Sequence, residues 1–469
     1  MKKNILTLTI LLMSISIFAQ EMIYIHKTDN VSLGGIYSNN DSVYFNEHFS
    51  MVFFKINGVP DQYLVSEIDS ITFGESTDTV YIDFSDNTAY VKNPYAFSGI
   101  KITVKGADVT INSTTETRDI SYVVSGNSGD GMLKIYSNKR YNLCLNNLNL
   151  TNADGPAINI QSDNKVFVNL VDGTTNTISD GEVYADPFIN YEAGGITEDQ
   201  KSAFFSEGQL IFNGNGSLTI NGNASDRHAL CSDDYIEVNS GNIKISKAFR
   251  DGIHGKKGVI INNGNVEVTS AGSGIDGDNG VVTILEGNVT VICNSADVNA
   301  ISSDSTINIM GGNINLTAEG LQSKAIKSDQ LINILGGNLN ISTKGGAALE
   351  ASGSGFDPAY CTALKCDSLI NIEGGTVLIN STGTAGKGIS APLINMSNGN
   401  VQITSTGGGA TYTNSAGESD AYVSGCITSD GNINISGGRL IINNSGAGGK
   451  GISADGFLSI GSSSGIPDV

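Results

Sequence analysis

One phrase recurs from about residue 207 onward: an alternating apolar strand, a glycine turn and a second alternating strand, as in VTILEGNVTV, INIMGGNINL, INILGGNLNI and INISGGRLII. The turn glycines are Gly216, Gly241, Gly264, Gly287, Gly312, Gly337, Gly375, Gly399 and Gly438, spaced by 25, 23, 23, 25, 25, 38, 24 and 39 residues. A step near 24 residues that is twice lengthened by about 14 describes one structural unit carrying two inserted loops.

A second column fixes the register independently. Each unit also holds a short strand written small-apolar-x-small-Asp, as in NAISSD, KAIKSD and GCITSD. Its apolar member is Leu230, Ile253, Ile275, Ile301, Ile326, Leu364, Ile389, Ile427 or Ile452, always preceded by Ala, Gly or Cys. Alternation with period two in every segment is strand patterning, and no stretch shows a helical stripe. Three short strands per 22–25-residue coil predict an all-β chain wound as a parallel β-helix, each coil stacked on the last. The coil is longer than a hexapeptide left-handed coil, so the expected winding is right-handed. One coil cannot bury its Ile face alone, but stacking at about 4.8 Å places like residues over one another.

Around this core the chain divides by pattern. Lys2 and Lys3 precede an apolar run from Ile5 to Phe18 that ends in Ala19, which reads as an export signal spanning 1–19, cut after Ala19. Residues 20–76 read as a small β-rich N-terminal extension, and 77–205 as a cap with less regular first coils. The regular helix occupies 206–469, with insertions near 345–361 and 406–424. An open β-helix end would expose a sheet edge, so the N-terminal coils need a cap.

Composition narrows the function classes. Lys plus Arg number 26 against 47 Asp plus Glu, for a net charge of −21; cutting away Lys2 and Lys3 leaves 24 basic residues and a still more acidic chain. Nucleic acid is a poor partner for such a surface, because phosphate binding needs clustered cations. No apolar run in the mature chain approaches the roughly 20 residues of a membrane span. The six cysteines are irregularly spaced and several stand where other coils have Ala, Gly or Ser, so they are expected as buried small hydrophobes. The exported product is expected at the cell surface, in a periplasm or outside the cell, as a monomer.

Several phrases carry a family resemblance: GTTNTISD (Gly173 to Asp180), DGIHGKKGVII (Asp251 to Ile261), GIDGD (Gly274 to Asp278), GKGISA (Gly386 to Ala391) and GKGISAD (Gly449 to Asp455). Residues 80–469 resemble a family of exported carbohydrate-binding proteins with a right-handed, polysaccharide-lyase-like parallel β-helix. That resemblance implies calcium sites and affinity for cellulosic or acidic polysaccharide.

The residues supply their own candidates. Three positions after the apolar ladder residue stand Asp233, Asp278, Asp304, Asp329, Asp367, Asp430 and Asp455, with Lys256 and Pro392 as exceptions. Stacked coils would hold such carboxylates about 5 Å apart, where they raise one another's pKa or recruit a cation. The densest group, Asp226, Asp233, Asp234, Asp251, Asp276 and Asp278, is the expected Ca²⁺ site, since Ca²⁺ prefers six to eight oxygen ligands. The distal Asp304-to-Asp455 column is expected to serve its turns by bonding backbone. His228 and His254 read as outward-facing strand residues.

For sugar, the absence of Trp argues against a flat aromatic platform. The insertions offer Phe356, Asp357 and Tyr360 in the first, and Tyr412, Glu418, Asp420 and Tyr422 in the second. Both lie between consecutive coils on one side of the repeat, so both should leave the same face. Tyr and Phe stack on sugar rings while carboxylates bond hydroxyls. Arg250 and Lys256, beside the acidic group, are the candidate bases for the alternative of a calcium-dependent uronate lyase. An adhesin or rigid spacer without a sugar ligand is the other alternative.

Overall fold

The structure, a computed structural model, describes residues 21–461 and 467–469, apart from 37–40, 46–49, 57, 76–77, 118 and 191–194. The expected export signal lies outside the described residues.

Each regular coil contributes three strands. In one coil these are His228–Ser232, Ile236–Val238 and Asn242–Lys247; in the next they are Ile253–Gly255, Gly258–Ile261 and Asn265–Ser270. Every strand pairs in parallel with its counterpart one coil on, so three parallel sheets run the length of a β-helix. The apolar ladder forms one continuous row in the first sheet: Leu230, Ile253, Ile275, Ile301, Ile326, Leu364, Ile389, Ile427 and Ile452 are register partners in succession. From Leu230 to Ile389 these side chains are fully buried. Sealing one such side chain from water contributes roughly 1.5–3 kcal/mol, which is why the small-apolar pattern dictates the stacking.

The turn glycines lie between the second and third strands. From Gly241 to Gly438 they adopt positive φ, for example +81° at Gly312, where a Cβ would stand 2.7 Å from the Gly287 carbonyl oxygen of the coil below. Gly216 differs: the left-handed residue in that coil is Gly214, at +88°.

Asparagine adds polar rows on the outer surface. Asn265, Asn288, Asn313 and Asn338 each donate through Nδ2 to Oδ1 of the Asn one coil earlier, beginning at Asn242, over 2.6–3.1 Å. A second ladder runs from Asn308 through Asn333, Asn371 and Asn395 to Asn434 in the same direction.

The N-terminal end is closed by antiparallel structure. Glu21–Lys27 pairs with Val31–Ile36 and Ile68–Glu75, over a small core of Ile23, Ile25, Val52, Phe54, Ile56 and Phe97. Val31–Ile36 lies parallel to Thr88–Asn93, which forms a hairpin with Thr79–Ser85; that strand in turn pairs with Ile120–Ser128. Ile100–Lys105 covers the end of the first sheet by pairing antiparallel with Asp108–Ser113. The extension is therefore hydrogen-bonded onto the solenoid and caps it. All six cysteines carry free thiols, and five are fully buried, as expected of small apolar residues.

No helix among the described residues is long and apolar enough to cross a membrane.

Candidate functional site

Both insertions fold into hairpins that leave the solenoid between a third strand and the next first strand. Ala348–Ser352 pairs with Gly355–Ala359, and Ala410–Thr413 pairs with Ser419–Tyr422. A short turn in the coil between them is tied to both, through Ala347 N–H to Thr384 O at 2.9 Å and Ala385 N–H to Gly408 O at 2.8 Å. The hairpins then meet at their tips, where Phe356 bridges Asn414 and Ser354 N–H donates to Ser415 O at 2.8 Å. They form an arch over one coil.

The sequence-derived sugar candidates distribute around this arch. Tyr412 and Tyr422 stand edge to face at 5.7 Å, and the Tyr412 hydroxyl donates to Asp420 at 3.3 Å. Burial, then Tyr412, Asp420 and Tyr422, push the Tyr360 phenol up to about 12, which places those four residues in one neighbourhood. Phe356 is exposed at the tip beside Asp357. Glu418 closes the second hairpin, its N–H donating to Asn414 Oδ1 at 3.0 Å.

Two lysines missed as sugar candidates complete the place. Tyr360, Lys387, Ser424, Asp430, Lys450 and Asp455 line a cleft of about 190 Å³ at the foot of the second hairpin. Lys387 lays its ammonium over the Tyr360 ring at 3.8 Å and forms no ion pair among the described residues. Burial holds its pKa down, reinforced by Lys365 and Lys450 and opposed by Asp430 and Asp455. The signal was present in the sequence: GKGISA and GKGISAD put Lys387 and Lys450 at the same position of two coils.

The six carboxylates expected to surround one Ca²⁺ are instead divided. Asp226 is an exposed partner of Arg227, Asp233 pairs with Lys201 at 2.5 Å, and Asp234 pairs with Lys257 at 2.7 Å. Asp278 sits in a turn at φ +45°, with its carboxylate accepting from Asn279. Only Asp251 and Asp276 converge, and they do so on histidines. The physical reason is alternation: residues close in sequence point to opposite faces or into different turns, so density along the chain does not become density in space.

The two histidines correct the sequence reading. His228 is 2% exposed, and its ring stacks on His254 with centroids 4.4 Å apart. Asp251 Oδ2 lies 3.1 Å from His228 Nδ1 and 3.6 Å from His254 Nδ1, and Asp276 Oδ2 lies 2.9 Å from His254 Nδ1. Burial lowers the His254 pKa, but the two carboxylates outweigh it and raise it to about 9; at His228 burial prevails and the shift is downward. Burial would raise the Asp251 carboxyl, yet the histidines hold it well below the usual carboxylate range.

The lyase candidates lie nearby. Arg250 lines a cleft of about 440 Å³ with Tyr184, Asp199, Lys201, Asp226 and Arg227, whereas Lys256 is exposed and outside that cleft.

Along the distal column, the buried Ser preceding Asp bonds the turn. Ser303 Oγ donates to Gly280 O and Ser328 Oγ to Ser305 O, both at 2.7 Å, while Ser429 Oγ donates to Pro392 O at 2.9 Å. The neighbouring carboxylates face outward, Asp329 and Asp367 beside Lys327 and Lys365.

A family model described as carbohydrate-binding domain-containing protein matches residues 105–354 and, in a second overlapping match, 284–464. The chain belongs to this family. The carbohydrate-binding domain-containing family thus covers the solenoid and both hairpins, beginning beyond the N-terminal extension. A carbohydrate-binding domain-containing protein of Acetivibrio thermocellus is 29% identical over 146 residues, 30% of this chain and 48% of the relative. The chain therefore spans about half the length of that relative. The solved gadolinium derivative of a polysaccharide lyase-like protein from C. thermocellum aligns at a TM-score of 0.43 and 22% identity, covering 63% of this chain and 96% of that one.

Proposed function

We propose that this protein is an exported carbohydrate-binding protein that holds an acidic, plant-type polysaccharide at the arch and the lysine cleft beneath it. Membership of the carbohydrate-binding family over residues 105–464 supports the ligand class. The observation that carries the acidic preference is Lys387, partly buried over Tyr360 and without an ion pair among the described residues, next to Lys450 in the same cleft. A chain of net charge −21 repels a polyuronate everywhere except where cations are concentrated. Tyr412 and Tyr422 offer ring faces and edges to the sugar, and Asp420 and Asp430 accept from its hydroxyls.

Calcium enters as an ion shared between polyuronate and surface carboxylates. The outward Asp278, Asp304 and Asp329 offer oxygen donors on successive coils, and burial together with Asp329, Asp276 and Asp278 raises the Asp304 carboxyl. Affinity electrophoresis through polygalacturonate, against a neutral β-glucan and with or without Ca²⁺, tests both statements. Lys387→Gln and Lys450→Gln should each weaken polyuronate retention about tenfold, the worth of one charged hydrogen bond, and leave glucan mobility unchanged. Wild-type protein that ignores polygalacturonate at every Ca²⁺ concentration would refute the acidic ligand.

A further inference from the structure

We propose that His228, His254, Asp251 and Asp276 form a binding site for a zinc-class divalent transition ion, separate from any calcium that a polysaccharide shares. The four side chains come from three consecutive coils of the first sheet. His254 is the register partner of Asp276, and Asp251 lies three residues before His254, beside His228 of the preceding coil.

The donor set decides against calcium. Ca²⁺ takes six to eight oxygens and this centre offers two imidazole nitrogens, whereas zinc readily combines His nitrogen with carboxylate oxygen. Zinc holds such donors at about 2.0–2.2 Å, so two ligands on one tetrahedral ion stand roughly 3.3 Å apart. Three of the six separations are 3.1, 3.6 and 2.9 Å and bracket that value, and the donors of Asp251, His254 and Asp276 all lie within 4.8 Å of one another.

A second, independent observation points to a ligand. His228 Nδ1 is fully buried and has no hydrogen-bond partner. Its 3.1 Å approach to Asp251 Oδ2 meets the length of a hydrogen bond but not its direction. A buried imidazole nitrogen in that position costs about 1–3 kcal/mol unless something satisfies it, and an ion between Asp251 and both rings would do so. Protonation of His254 would set a cation beside Asp251 and Asp276, with its Nδ1–H bonded to Asp276, and would still leave His228 Nδ1 orphaned.

The carboxylates are already oriented for this task. Asp251 Oδ1 accepts from Ser273 N–H at 3.1 Å and Asp276 Oδ1 accepts from Ser302 Oγ at 2.7 Å. In each, one oxygen is fixed by the protein and Oδ2 is turned to the histidines, the outer-shell arrangement that metal-binding carboxylates use. Two carboxylates and two neutral imidazoles also cancel the charge of a divalent ion. The Cys231 sulfur also lies within 4.8 Å of the histidine donors, but it stands outside the group that Asp251, His254 and Asp276 form.

The test uses the full mature chain, stripped with chelator and dialysed against Zn²⁺ in the presence of excess Ca²⁺, with metal read by elemental analysis. One retained zinc per chain is expected, with affinity reduced at least tenfold in His228→Asn and His254→Gln and unchanged in Cys231→Ser. Co²⁺ added to the stripped wild-type protein should give the visible absorption of a tetrahedral nitrogen–oxygen site, a readout independent of whether the variants fold. No zinc retained, retention equal in wild type and histidine variants, displacement by Ca²⁺, or a purely octahedral Co²⁺ spectrum would each overturn the proposal. None of these outcomes depends on polysaccharide binding.

Discussion

The asparagine ladder has a direction, and that direction can be tested with one substitution made at two places. Asn371 donates to Asn333 Oδ1 at 3.2 Å and accepts from Asn395 Nδ2 at 3.1 Å, whereas Asn308, at the ladder's start, accepts from Asn333 at 3.0 Å. Replacing Asn by Asp keeps the acceptor and removes the donor. At Asn308 the lost donor plays no part in the ladder, and a carboxylate accepts from Asn333 more strongly than the amide did. At Asn371 the new carboxylate faces the Asn333 carbonyl oxygen, so one hydrogen bond disappears and two acceptors oppose each other in a partly buried row. A net hydrogen bond is worth about 0.5–1.5 kcal/mol and an unmatched acceptor costs about 1–3, with partial compensation from Asn395. Asn371→Asp should therefore lose roughly 1–2 kcal/mol, while Asn308→Asp should stay within about 0.5. Urea unfolding at neutral pH, followed by far-UV circular dichroism, measures the difference, provided the slopes agree. Repeating it in acid adds a control, because the introduced carboxyl regains a donor once protonated and the gap should close. Equal losses at the two sites, or a greater loss at Asn308, would refute a ladder in which every amide points the same way.

Three further outcomes follow from other parts of the molecule. Ile326, fully buried between Ile301 and Leu364, should cost about 2–5 kcal/mol as Ala and about 0.5–1.5 as Val, measured in the same denaturation experiment. Gly312→Ala, at φ +81° and against the Gly287 carbonyl, should lose more than about 1 kcal/mol and lower the melting temperature, whereas a neutral effect would contradict the turn geometry. Glu207 is pushed up from 4.5 to about 7, first by burial and then by Asp233 and Asp199, against Lys201. The folded chain holds that proton more tightly than the unfolded one, so the contribution is complete below the unfolded value and is lost as pH rises through about 7. Glu207→Gln should flatten this decline in a pH series of melting curves, and an unchanged series would exclude Glu207 as its source.

What could be read from the sequence, and what could not, divides along one line. The Ile301, Ile326 and Leu364 row was legible because each coil repeats the same small-apolar phrase and a slip of one residue would expose the whole row. The buried cysteines were legible for the same reason, since Cys366 and Cys426 occupy positions of the repeat that face inward. The insertions could be located, but not their contact: the meeting of Phe356 and Asn414 depends on how each hairpin bends after leaving its coil. The acidic group misled because Asp233 and Asp234 enter a turn with lysines while Asp251 turns to the histidines. His228 and His254 belong to different columns of the repeat, so comparison within a column could not bring them together. Stacking three coils at once was needed to see it.

The arch has a consequence for how this surface can change. Its two piers rise two coil steps apart, and the bend at 382–386 of the coil between them is held on both sides by main-chain hydrogen bonds. The gap between the piers is therefore gauged by backbone length in a segment that belongs to neither. Residues added to that bend would act as a wedge and prise the tips apart, while substitutions on the piers would alter what they touch without altering their spacing.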